Sequence, residues 1–171
     1  MILVEFDFSE LTFESNKTET EYLEHRKNRL NQYTEFKGNI WVEKYKESKN
    51  KLWQIKFVNE LNKRLVKDKK NVVFTLDSTN VDYKLIVRTK WMYLGYNIGI
   101  ANEPAKLKID FIFYDTIDSK NIISTLNVKR ATGTNGNSIK KGEKFTYLKR
   151  IGNAYKKSAF MLYLVLKRFL N

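Results

Sequence analysis

Between Tyr83 and Tyr93 the chain alternates strictly, with Tyr83, Leu85, Val87, Thr89, Trp91 and Tyr93 on one side and Lys84, Ile86, Arg88 and Lys90 on the other. Successive side chains of a strand point to opposite faces, so this run predicts a long strand with one apolar and one charged face. A sheet that must bury one face needs a layer to cover it. A second run, Lys106 to Tyr114, places Leu107, Ile109, Phe111 and Phe113 inward. Strands are also expected over Ile2 to Phe8, Val72 to Leu76 and Ile122 to Arg130, with a hairpin at Asp118-Ser119-Lys120-Asn121 and a long loop from Gly95 to Pro104.

The covering layer is legible as helices. The stretch 18–33 has acidic residues early and basic ones late, with Thr18 placed to cap ahead of Glu21, and reads as a surface helix. After a break at Phe36-Lys37-Gly38-Asn39, one helix is expected from about Trp41 to Val66. In it Trp53, Phe57, Leu61 and Leu65 recur every fourth residue. The terminal stretch from about Lys144 to Leu170 places Leu148, Tyr155, Leu162 and Phe169 on a helical seam, with Gly152, Ala154, Ser158 and Ala159 keeping its middle slim for close packing. The order β-α-α-β-β-β-β-α predicts a single α+β domain over residues 1–171. It should be a two-layer sandwich with a mostly antiparallel five-stranded sheet covered by helices. The first strand, isolated from the rest by two helices, is expected to insert centrally or to pair in parallel with a later strand.

No window is apolar enough to span a membrane, and the N-terminus turns acidic at once where an export signal would be basic and then apolar. The expected location is therefore the cytoplasm or a virion, or the periplasm or cell envelope for a trimmed exported domain. The chain has no Cys, which leaves redox compartment open and removes thiolate chemistry. Its net charge of +13 is concentrated at one end: residues 120–171 hold twelve basic residues against Glu143 alone, +11 of the total. Such an end attracts nucleic acid, anionic surfaces or acidic proteins. Only seven of the 32 basic residues are Arg, the type suited to bidentate phosphate recognition, which fits a compositional origin equally well.

Catalytic residue types are scarce. The one histidine, His25, sits among Glu24, Arg26 and Lys27 on a polar helix, and neither zinc-ligand clusters nor a nucleophile beside a base is visible. The loop Gly133-Thr134-Asn135-Gly136 through Lys140-Lys141-Gly142 lacks the Gly-Lys-Ser/Thr of a phosphate-binding loop. A divalent-metal nuclease would need a carboxylate on one strand and an acid-x-Lys on the next. Asp110 precedes Asn127-Val128-Lys129, where Asn127 replaces the second acid. No cofactor, metal or small-molecule substrate is indicated.

The candidate contact residues for nucleic acid or an acidic partner are the row Lys84, Arg88 and Lys90, with Lys106 and Lys108 on the next strand near Tyr96 and Tyr114. To these are added Lys129, Arg130, Lys140, Lys141 and Lys144. Aromatic rings among cations suit single strands, while a Lys-rich face also keeps a sheet edge soluble.

Several stretches resemble an uncharacterised family of Bacteroidetes proteins, usually exported, that look like small α/β sandwich lipoprotein domains of the curli-assembly type. They are residues 4–13, 18–27, 83–89, 95–100, Pro104-Ala105 and 153–159, scattered over nearly the whole chain. The resemblance implies assembly or binding rather than catalysis. Together with the residue reading it points to a non-enzymatic structural module. Such a module makes protein–protein contacts within a larger complex, as an envelope-associated protein or a phage virion subunit, with homo-oligomers among its forms. The alternatives are a nucleic-acid-binding protein and a degenerate Mg-dependent nuclease.

Overall fold

The computed structural model describes all residues except 78–79, 98–100, 117–120, 135–145 and 171. The first strand, β1 (Ile2–Asp7), is followed by three helices: α1 (Glu19–Tyr33), α2 (Lys37–Glu47) and α3 (Trp53–Lys67). Six strands follow: β2 (Phe74–Thr75), β3 (Tyr83–Tyr93), β4 (Tyr96–Asn97), β5 (Asn102–Glu103), β6 (Lys106–Asp115) and β7 (Ile122–Thr132). Helix α4 (Thr146–Leu166) comes last. The main sheet has the order β2-β1-β3-β6-β7, and β4 and β5 form a separate two-stranded ribbon. This is the α+β sandwich read from the sequence. The helical crossover between β1 and the strands after it allows β1 to lie parallel to both neighbours, β2 and β3. Short connections make β3, β6 and β7 a long antiparallel meander.

Helices α3 and α4 cover one face. Val4 of β1, Leu85 and Val87 of β3, and Leu107, Ile109 and Phe111 of β6 meet Trp53, Phe57, Leu61, Leu65, Tyr155 and Leu162 in one core. Polar groups within it are paired: the Trp53 indole donates to the Leu148 carbonyl at 2.9 Å, and the Thr89 and Tyr155 hydroxyls share a buried hydrogen bond of 2.7 Å. Asn62 brackets the backbone of Phe74 with both ends of its amide, fixing the short β2 to α3. The small residues of α4 serve this packing, since Ala154, Ser158 and Ala159 are fully buried and Gly152 abuts the Lys56 side chain of α3.

Helix α1 begins at the expected Thr18, whose hydroxyl accepts from the Glu21 N–H while the Glu21 carboxylate accepts from the Thr18 N–H. It buries no residue completely and rests on α2, where Gly38 comes so close that an added Cβ would stand 2.1 Å from the Lys27 carbonyl oxygen.

Four expectations need correction. The single helix from Trp41 to Val66 starts earlier, at Lys37, and is interrupted by a π turn, Ser48–Leu52. The extra residue shifts the helical phase so that buried Trp41 and Tyr45 stay aligned with Trp53 and Phe57. The strand at 72–76 is only Phe74–Thr75. Phe169 lies past the end of α4 and is 77% exposed, so it takes no part in the seam. The alternation in β3 breaks at a bulge: Thr89 pairs with Ile109 and Trp91 with Lys108, leaving Lys90 as the extra residue. Beyond it Met92 turns inward and is fully buried, and Trp91 and Tyr93 pass to the opposite face. The expected hairpin 118–121 falls largely outside the described residues, and within the expected Gly95 to Pro104 loop, β4 pairs with β5.

Candidate functional site

With one face of the sheet under helices, the candidate surface is the other face together with the outer edge of β7. Lys84, Arg88 and Lys90 do line up there on β3, but each meets carboxylate. Lys84 Nζ is 2.8 Å from Glu5, Arg88 Nε is 2.7 Å from Asp7, and Arg88 Nη1 is 3.1 Å from Glu10. Lys90 Nζ lies 3.4 Å from Glu10 and 3.6 Å from Asp110. The parallel register explains this, because Leu3 pairs with Lys84, Glu5 with Ile86 and Asp7 with Arg88, and the acidic side of β1 lies along the basic side of β3. Partial burial pushes the Asp7 carboxyl up. The Ser9 N–H at 2.8 Å and Arg88 outweigh that and hold it below its ordinary value. Three cations against four carboxylates leave this row with no positive surplus.

The bulge in β3 creates a second cluster. Trp91 and Tyr93 stack with centroids 6.2 Å apart and planes 13° from parallel. Lys108 Nζ stands 5.5 Å from the centre of the Trp91 ring and Lys106 Nζ 5.1 Å from that of Tyr93. Lys106 also pairs with Glu103, whose other oxygen accepts from the Tyr93 hydroxyl at 2.6 Å. Lys108 has no carboxylate partner among the described residues. Tyr114 lies far from this cluster, opposite Lys84 at the other end of β6, so the expected grouping of Lys106 and Lys108 with Tyr114 does not form.

Asp110 and Asn127 face each other across β6 and β7, and the Asn127 amide donates to Asp110 at 2.8 Å. With Lys90 on its other oxygen, Asp110 is engaged on both sides. Among the described residues no three His, Cys, Asp or Glu side chains converge as a metal site. His25 is exposed on α1.

The outer strand β7 carries Lys129 and Arg130 in a second bulge, between Val128 opposite Ile109 and Ala131 opposite Leu107. Both are exposed and lie on the same side of the sheet system as Lys108, their single counterpart on β6. Lys140, Lys141 and Lys144 fall outside the described residues. The first half of β7 is uncharged and bare: residues 122–125 are exposed, with Ile122 and Ile123 about half accessible at 52% and 51%. No described strand pairs with its outer side. The free edge was readable as a strand, but its outermost position depends on sheet order.

No protein-family model, curated protein or solved structure matches this chain. No helix among the described residues is long and apolar enough to cross a membrane.

Proposed function

We propose that this protein is a non-enzymatic assembly module whose primary contact is with a second copy of itself, made by antiparallel pairing along the outer edge of β7. The observation that carries this reading is the bare first half of β7, a run of free backbone donors and acceptors flanked by two half-exposed isoleucines. An edge strand of this kind is a template for another strand unless it is short, charged or bulged, and β7 is protected in that way only at its far end.

The strand is self-complementary. A register centred on Leu126 sets Thr125 opposite Asn127 of the other copy, Ile123 opposite Lys129 and Ile122 opposite Arg130. Lysine and arginine stems then cover the isoleucines. Equivalent lysines in the two copies sit six residues apart along the joint, about 20 Å at the usual rise of an extended strand. That exceeds the screening length of about 8 Å at physiological salt, so the basic bulges do not oppose the contact strongly.

Sedimentation of the purified chain across a concentration series tests this, with a species of twice the chain mass expected. Ile123→Lys would place like charges opposite each other twice by symmetry and weaken the dimer by about 2- to 30-fold, from roughly 0.2–1 kcal/mol per cross-strand pair. Ile123→Glu should hold or tighten it. A chain that stays monomeric at high concentration, or that responds alike to both substitutions, overturns the reading.

A second reading rests on the Trp91 and Tyr93 stack beside Lys108, Lys129 and Arg130, a strip of rings and cations suited to a single-stranded nucleic acid. It calls for binding that falls steeply with salt and is weakened by Lys108→Gln, with Lys84→Gln having no effect.

A further inference from the structure

A pocket of about 380 Å³ opens where α1, the start of α4 and the end of β3 meet, with Arg26, Tyr147, Tyr22, Tyr93, Tyr96 and one carboxylate, Glu14, on its walls. Its charge is unusual for a protein interior. The Arg26 guanidinium carbon lies 5.8 Å from the centre of the Trp41 ring and 5.6 Å from that of Tyr147, a packing that holds the side chain in place. Arg26 Nε is buried without a hydrogen-bond acceptor, while the Tyr147 oxygen draws side-chain donors of Arg26 and Trp41. No carboxylate pairs with Arg26 among the described residues. Behind the Leu94-Gly95 wall lies a second arginine, Arg150, only 5% exposed, whose donors reach the Leu94 carbonyl at 3.4 Å and the Gly95 carbonyl at 3.2 Å and, among the described residues, no carboxylate. Burial pushes its ionisation down.

Two guanidiniums therefore flank one pocket, and both sit beside Tyr147 near the positive end of α4. Several cations elsewhere stand beside carboxylates: Lys84, Arg88, Lys90 and Lys49 all have them. An uncompensated buried charge is costly, and what relieves it is an anion with hydrogen-bond acceptors. The flat, aromatic walls suit a planar group, and the forked guanidinium suits two oxygens of one oxyanion.

We propose that this pocket binds a small oxyanion, a carboxylate or a phosphate, with Arg26 as its direct partner and Arg150 supplying charge from behind the Gly95 wall. This proposal is independent of the β7 contact.

The test is a titration of the full chain, followed by amide chemical shifts, with inorganic phosphate and separately with benzoate, each against sodium chloride of equal ionic strength. Saturable shifts at residues 22–26, 93–96 and 147–150 are expected with at least one of them, and which anion acts identifies the source chemistry. Arg26→Gln should weaken binding about tenfold or more, since a charge-assisted pair is lost. Arg26→Lys, which keeps the charge without the fork, should fall between, and Lys84→Gln, at the other end of β3, should bind as the parent does. The proposal is overturned if neither anion saturates beyond the chloride control, or if Arg26→Gln and Arg26→Lys both bind as tightly as the parent.

Discussion

The Thr89 and Tyr155 hydroxyls, 2.7 Å apart and on fully buried residues, join the sheet to the helix layer by a hydrogen bond. Burial pushes the Tyr155 phenol above its ordinary range, which favours the protonated hydroxyl. Tyr155→Phe removes one member and strands the Thr89 hydroxyl in the core. The cost of an unsatisfied buried hydroxyl is about 1–3 kcal/mol. Thr89→Val strands the phenol for a similar cost at nearly constant volume. The double variant buries two apolar groups of the same shape and should recover most of the loss, so it is expected to be more stable than the sum of the single effects by about 1 kcal/mol or more. Urea unfolding of the four proteins measures this. For a domain near this size 1 kcal/mol corresponds to about 2–4 °C in Tm, which is resolvable. Strictly additive single effects would refute the reasoning, because they would mean that the two hydroxyls are satisfied independently of each other.

Three further outcomes follow from particular contacts. Gly38→Ala should destabilise the protein by about 1–3 kcal/mol, read by thermal unfolding, because its Cβ would meet the Lys27 carbonyl oxygen at 2.1 Å and force α1 away from α2. The Asp7 carboxyl is held below its ordinary value of 3.8 in the folded chain, so its contribution to stability is complete above that value and is lost as the pH falls below it. Asp7→Asn should therefore shallow the acid limb of the stability profile and leave a smaller change with pH between 4 and 2. Trp91→Ala, on the open face, should leave the melting temperature nearly unchanged, whereas Trp53→Ala, fully buried with its indole bonded to Leu148, should cost about 3–5 kcal/mol.

The features legible in the sequence were those governed by local period and local chemistry. The fourfold spacing of Trp53, Phe57, Leu61 and Leu65 placed the face of α3 correctly, Thr18 and Glu21 marked the start of α1, and the small residues of α4 marked its packed side. What was lost depended on insertion of a single residue. The extra Lys90 leaves the composition of β3 unchanged yet exchanges Met92 for Trp91 and Tyr93 on the core side, and the π turn at 48–52 does the same to the α2–α3 rod. Neither carries a glycine or proline to announce it. The neutralisation of the charge row was hidden for a different reason. Glu5 and Asp7 lie about eighty residues from Lys84 and Arg88, and only the parallel register of β1 against β3 brings the two sets together. Local alternation identifies the charged side of each strand, but neutralisation is a property of the pair.

The most direct test of the self-pairing edge exploits the absence of cysteine from the natural chain, which makes an introduced thiol unique. A spin label on Thr125→Cys should report a second label at close range, because paired strands lie about 5 Å apart and the two copies of residue 125 fall near the joint. The same label at exposed Tyr33 on α1 should report none. Strong coupling at 125 alone is the result this account expects; isolated labels at 125 in a sample that sediments as a dimer would contradict it, placing the contact on another surface.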